Sequence, residues 1–153
     1  MAHNYPRPPF RFGGRVTDTY RSGHRARDVA PRNDDDGWVY AVEAGTVTEA
    51  VTGRNPGDDN PNLIAVKGTD GAVTIYGHVD PCPDIFRAIV GFPVRRGERI
   101  GRVDVSGQSS GRHVHLVRMP TGSGTLDDIE TRAESAGVFF TISLNGWPSG
   151  ELR

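Results

Sequence analysis

The chain has one cysteine, one lysine and no long apolar run. A lone Cys82 cannot form an internal disulfide. Thiol catalysis would need a base beside it, and Cys82 sits between Pro81 and Pro83 in a loop, so it is read as a residue without a role. Arginine supplies 17 of the 18 basic residues, read first as a coding bias. The net charge of −1 offers no electrostatic reason for nucleic acid or an anionic membrane as partner. No segment approaches membrane-spanning length, and Met1 to Arg15 lacks the apolar run of a signal peptide, so the expectation is a soluble protein without a general export signal.

What is abundant is glycine (20) and proline (11), against only 35% hydrophobic residues in 153. That combination predicts many turns between short strands, in one domain with a real core. Residues 1–14 read as an extended N-terminal arm, with Phe10, Phe12 and the distant Trp147 as exposed-looking contacts. Strands are predicted at Arg15 to Tyr20, Trp38 to Ala41, Gly45 to Val51, Leu63 to Lys67 and Ala72 to Tyr76, the last two joined by a Gly68-Thr69-Asp70-Gly71 turn. Asn33-Asp34-Asp35-Asp36-Gly37 reads as a solvated turn, because it lacks the spaced acids of a calcium loop. Asp84 to Val90 reads as one or two helical turns in a longer connection. Val94 to Gly101 reads as strand, tight turn and strand. In the C-terminal extension, 119–153, Thr125-Leu126-Asp127-Asp128 is a capping box opening a helix that Gly137 ends, and Val138 to Leu144 is a last strand. The fold class expected is mainly β, an antiparallel sandwich or barrel-like fold with one short C-terminal helix, its domain spanning 15–118 and the extension packed on it.

The chemistry concentrates on histidine, of which there are five. His3 lies in the arm and is set aside. In Gly111-Arg112-His113-Val114-His115-Leu116, strand alternation sends Val114 and Leu116 to one core layer and puts His113 and His115 together on the other face. Two imidazoles on one face suit a metal held by one ring with the other working beside it. His24 and Asp28 are four residues apart, a spacing that lets both point the same way on a strand or a helix. With His115 they would make two imidazoles and one carboxylate, and three protein ligands with an open fourth position are what a catalytic zinc needs. His78, in Tyr76-Gly77-His78-Val79, ends a strand where a cleft rim would lie.

These pieces together resemble the lysostaphin-type zinc metallopeptidases, the M23 or LytM family, which cut peptides in bacterial cell walls. The resemblance runs in order across Arg15 to Val117: His24-x-x-x-Asp28, Val39-Tyr40-Ala41 with Ala44-Gly45-Thr46-Val47, Tyr76-Gly77-His78-Val79, Val94-x-x-Gly97-x-x-Ile100-Gly101, and the Gly111–Leu116 motif. It implies the duplicated hybrid motif fold, one Zn(2+) per chain held by His24, Asp28 and His115, and His113 and His78 as catalytic histidines beside the metal. His113 is the expected general base. His78 is expected to hold the oxyanion or help protonate the leaving amine, and the two histidines could exchange these roles. Peptidoglycan peptides are the implied partner, reached in the wall or periplasm after lysis or by a dedicated delivery device. Ala26 departs from the glycine usual inside the first motif, and the connection from Asp80 to Phe92 is longer than the common one. Three other readings account for part of the pattern. A silent wall-binding regulator predicts missing ligands, a structural tail or injection-device component accounts for the absent leader, and a sugar-phosphotransfer protein leaves His24 and Asp28 idle.

Overall fold

A computed structural model of the chain describes residues 3–5, 7–11, 14–18, 26–32, 35–83, 85, 89–119 and 138–140. Twelve strands are described: β1 (His3–Tyr5), β2 (Arg15–Asp18), β3 (Arg27–Ala30), β4 (Trp38–Tyr40), β5 (Gly45–Val51), β6 (Leu63–Gly68), β7 (Val73–Gly77), β8 (Val79–Asp80), β9 (Pro93–Val94), β10 (Arg99–Val103), β11 (Val114–Met119) and β12 (Val138–Phe140). As expected, the fold is mainly antiparallel β. Seven strands form one sheet in the order β2-β3-β11-β7-β6-β5-β9, and three form a second in the order β4-β10-β8. Neither closes on itself. A short parallel pair joins β1 to β12, bringing the arm together with the C-terminal extension. The helix expected over Thr125 to Gly137 lies outside the described residues, as do Phe12 and Trp147 and much of Asp84 to Val90.

The central strands of the large sheet are covered on both faces, so they read as nearly unbroken apolar runs. Alternation divides them. Ile64, Val66, Tyr76, Val114 and Leu116 enter one core, shared with Val39, Val79, Ile100 and Val103 of the small sheet. Leu63, Ala65, Val73, Ile75, Val117 and Met119 form a second core on the opposite face. Each large buried side chain contributes about 1.5–3 kcal/mol. Tyr76, wholly buried, accepts the Val42 amide with its hydroxyl at 2.9 Å, which satisfies a backbone donor inside the first core.

Two expectations are corrected. Phe10 is not an exposed contact but lies wholly buried in the main core. The Pro9 carbonyl accepts the Tyr40 amide at 2.8 Å, so this part of the arm covers the edge of β4 and carries Phe10 inward. The acidic turn is not simply solvated, since Asp35 is buried and accepts the Gly37 amide at 2.7 Å. The strand, turn and strand expected around Gly97 are present as β9 and β10. β9 joins β5 in the large sheet while β10 joins β4 and β8 in the small one, so this turn links the two sheets. Exposed apolar side chains gather instead on the long connection, at Ile85, Ile89, Val90 and Phe92.

Candidate metal centre

β11 carries the site because its two faces differ as alternation requires. Val114 and Leu116 are wholly buried in the main core, and His115 faces the other way, in line with Val117 and Met119. The second core therefore gives way to imidazoles at the N-terminal end of this strand. β3 pairs antiparallel with β11, with Asp28 directly opposite His115. β7 lies on the other side, with Gly77 opposite His115. A Cβ at Gly77 would stand 3.1 Å from the His115 Cβ, so the absence of a side chain there leaves room for the His115 ring.

Four of the five sequence-predicted residues meet here; His24 lies outside the described residues. His115 Nδ1 is 2.9 Å from Asp28 Oδ1, and His113 Nε2 is 3.4 Å from Asp28 Oδ2. His78 completes the group from the turn between β7 and β8, its ring edge-on to His113 at 4.8 Å between centroids and to His115 at 6.0 Å. The ligand atoms of the three histidines all lie within 4.8 Å of one another. His78 has φ 61°, the left-handed region that residues with a Cβ enter at a cost of about 1–2 kcal/mol.

Backbone carbonyls set two of the rings. His78 Nδ1 is 2.7 Å from the Ser106 carbonyl, and His113 Nδ1 is 2.8 Å from the Gly111 carbonyl. A carbonyl only accepts, so each Nδ1 carries the proton and each Nε2 presents its lone pair when the ring is neutral. In the sequence Ser106 opens a run of small residues up to Gly111, and nothing in that context marks its carbonyl. Burial pushes the His78 pKa down. The Ser106 hydrogen bond and the Asp28 carboxylate oppose that shift, and the neighbouring His113 and His115 reinforce it.

The donor set suits a cation. In a neutral His113 the Nε2 lone pair faces a carboxylate oxygen, an arrangement stabilised by a positive charge between them. Three imidazoles and one carboxylate are the nitrogen and oxygen donors that zinc takes. Metal–ligand bonds of about 2.0–2.1 Å in a tetrahedron place ligand atoms roughly 3.3 Å apart, and the His115–Asp28 separation of 2.9 Å is close to that edge. By contrast Cys82 takes no part. Burial and the nearby Asp80 push its thiol pKa up, against thiolate chemistry, as its loop position suggested.

An open antiparallel β fold with a histidine and carboxylate cluster between neighbouring strands defines the class, and comparison supplies the family. Residues 22–125 match Peptidase family M23, about two thirds of the chain. The chain belongs to that family. Among solved structures it is similar to lysostaphin, the antimicrobial peptidase from Staphylococcus simulans, with 21% identity and a TM-score of 0.63, over 88% of this chain and 52% of that one. It is similar to a zinc-containing peptidase from Vibrio cholerae with 18% identity and a TM-score of 0.60, over 90% of this chain and 39% of that one. A variant of the catalytic domain of a prophage-encoded M23 protein from Enterococcus faecalis gives 23% identity and a TM-score of 0.61, over 84% of this chain and 93% of that one. At these identities the likeness establishes a shared fold. The chain spans about half or less of the first two proteins.

Proposed function

We propose that this protein is a zinc-dependent endopeptidase that hydrolyses peptide bonds of bacterial peptidoglycan. The observation that carries the reading is the convergence of the Asp28 carboxylate with the His115, His113 and His78 rings at one end of a single sheet. Family membership and the lysostaphin-like fold support it.

In this reading Asp28 and His115 hold the metal together with His24. Zinc, when bound, lowers the pKa of a water and polarises the scissile carbonyl. His113 is the general base: its Nδ1 is tied to the Gly111 carbonyl, so Nε2 is free to take a proton at the cleft. His78 stands across from it with its Nε2 lone pair likewise directed away from the Ser106 carbonyl, and once Nε2 has taken up a proton the ring can stabilise the developing oxyanion or pass that proton to the leaving amine. The protein would meet its substrate at the cell wall.

The test is a turbidity assay on purified cell walls. Metal-loaded protein should clear the suspension, a chelator should stop clearing and added zinc should restore it. Replacing His113 by alanine should abolish clearing while one zinc per chain remains bound. Replacing Asp28 or His115 should remove the metal itself. Loss of zinc from the His113 variant would overturn this ligand assignment in favour of a three-histidine site. No clearing of several wall types by fully metallated protein would overturn the peptidase reading.

A further inference from the structure

His78 is held by a hydrogen-bonded support that reaches away from the metal site. We propose that Asp104, acting through Ser106, is the positioning residue that fixes the His78 imidazole, and that Asn62 ties this support to the loop over residues 52–62. The inference rests on His78 serving the proposed reaction.

The geometry runs as a closed circuit. The Asp104 amide donates to the His78 carbonyl at 2.8 Å, and His78 Nδ1 donates to the Ser106 carbonyl at 2.7 Å. Ser106 in turn donates its amide to Asp104 Oδ1 at 2.8 Å and its hydroxyl to the same oxygen. Asn62 donates its side-chain amide to Asp104 Oδ2 at 2.8 Å and its backbone amide to the Ser106 hydroxyl at 2.9 Å. Asn62 Oδ1 accepts the Arg54 amide at 2.9 Å from across the loop.

Val105, between Asp104 and Ser106, is exposed, whereas Gly107 beyond it, at φ 67°, is held against Pro61 and donates its amide to the Asn55 carbonyl at 3.0 Å. The Ser106 carbonyl is thus fixed on its far side by the Gly107 peptide and on its near side by the Asp104 carboxylate. That carboxylate takes three donors from two side chains and one backbone amide, and Ser106 and Asn62 are both buried. Charge-assisted hydrogen bonds of this kind are the stronger class. Hydrogen-bond partners behind metal-ligating histidines matter by about 10- to 100-fold when removed, and the same scale is taken for His78 beside the metal.

The experiment follows the His78 ring directly, in metal-loaded protein labelled with 15N-histidine. Long-range proton–nitrogen correlation should show one protonated nitrogen, Nδ1, in the native chain. Asp104→Ala should broaden or average the His78 nitrogen signals, and lower kcat on a soluble cross-linked wall peptide about 10- to 100-fold with KM within about twofold. Ser106→Ala, which keeps the carbonyl and removes only the hydroxyl link, should fall between the two. An Asp104→Ala protein that melts earlier but keeps native His78 signals and native kcat would overturn the proposal, because the network would then be structural only. Should Asp104→Ala not fold, Asn62→Ala carries the test: altered His78 signals support the proposal and unchanged ones overturn it. The nitrogen readout needs no turnover. An inactive native protein would sink the peptidase reading while leaving this result legible.

Discussion

Replacing Gly77 by alanine probes the tightest contact around the site. The new methyl would stand 3.1 Å from the His115 Cβ and 3.4 Å from the His115 carbonyl oxygen. Carbon atoms rest about 3.5–4.0 Å apart, so β11 must retreat by roughly half an ångström at His115. Misplacing a reacting group by about 1 Å costs about 100-fold, so half that displacement corresponds to about tenfold in turnover. Stability should change less. Overpacking costs about 1–3 kcal/mol, while alanine recovers about 0.5–1 kcal/mol of backbone entropy, leaving a net loss of about 0–2 kcal/mol. Metal affinity, read by competition against a chromophoric chelator, should weaken, and wall clearing should slow in parallel. The matched control is Gly111→Ala: a Cβ there meets nothing within 4 Å and the glycine has no positive φ, so both readouts should stay native. If Gly77→Ala binds metal and clears walls like the native protein, the argument that Gly77 makes room for His115 is wrong.

Other outcomes follow from the same structure. Tyr76→Phe strands the buried Val42 amide and should cost about 1–3 kcal/mol in urea unfolding, without moving the denaturant slope; an unchanged midpoint would refute the role given to that hydroxyl. Burial raises the Glu49 pKa, so the folded state holds that proton more tightly than the unfolded chain. The stability linked to it is present below the ordinary glutamate range and lost as pH rises through the raised value. Glu49→Gln should therefore raise the melting temperature at neutral pH and lose the advantage in acid; a gain that persists in acid would contradict the assignment. Arg118 is buried against Asp70 at 2.6 Å and Glu43 at 3.6 Å. Arg118→Met should destabilise by no more than about 3–5 kcal/mol, since Asp70 is half exposed and water can solvate it; thermal unfolding of the single variant and of Arg118→Met with Glu43→Gln should show the double change to be milder than the single one.

Much of the site was legible from local pattern. Alternation alone placed His113 and His115 on the face opposite Val114 and Leu116, because successive side chains of an extended strand must point to opposite sides. The strands at Gly45 to Val51 and Leu63 to Lys67 were likewise readable from β-branched residues between glycine and proline turns. The hydrogen bonds of Asp104 to Ser106 and Asn62 were not, since an acid in a polar turn looks the same whether it faces water or gathers buried donors. Phe10 was misjudged for a related reason: an aromatic among prolines and arginines gives no period to reveal which side is covered, and its burial depends on the edge of β4.

By itself, then, the chain specified its β-rich composition, the short strands and the residue types able to hold a cation. Tertiary structure decided which strands became neighbours. His115 and Asp28, 87 residues apart, meet only because β3 and β11 pair in one particular register, and a slip of one residue would turn Asp28 to the opposite face. The left-handed turn that swings His78 toward the other rings is also a product of that assembly, held by a carbonyl 28 residues away. Side-chain direction along a strand is a local steric rule, whereas pairing partner and register are set by which apolar faces bury each other, and that is known only once the whole sheet has formed.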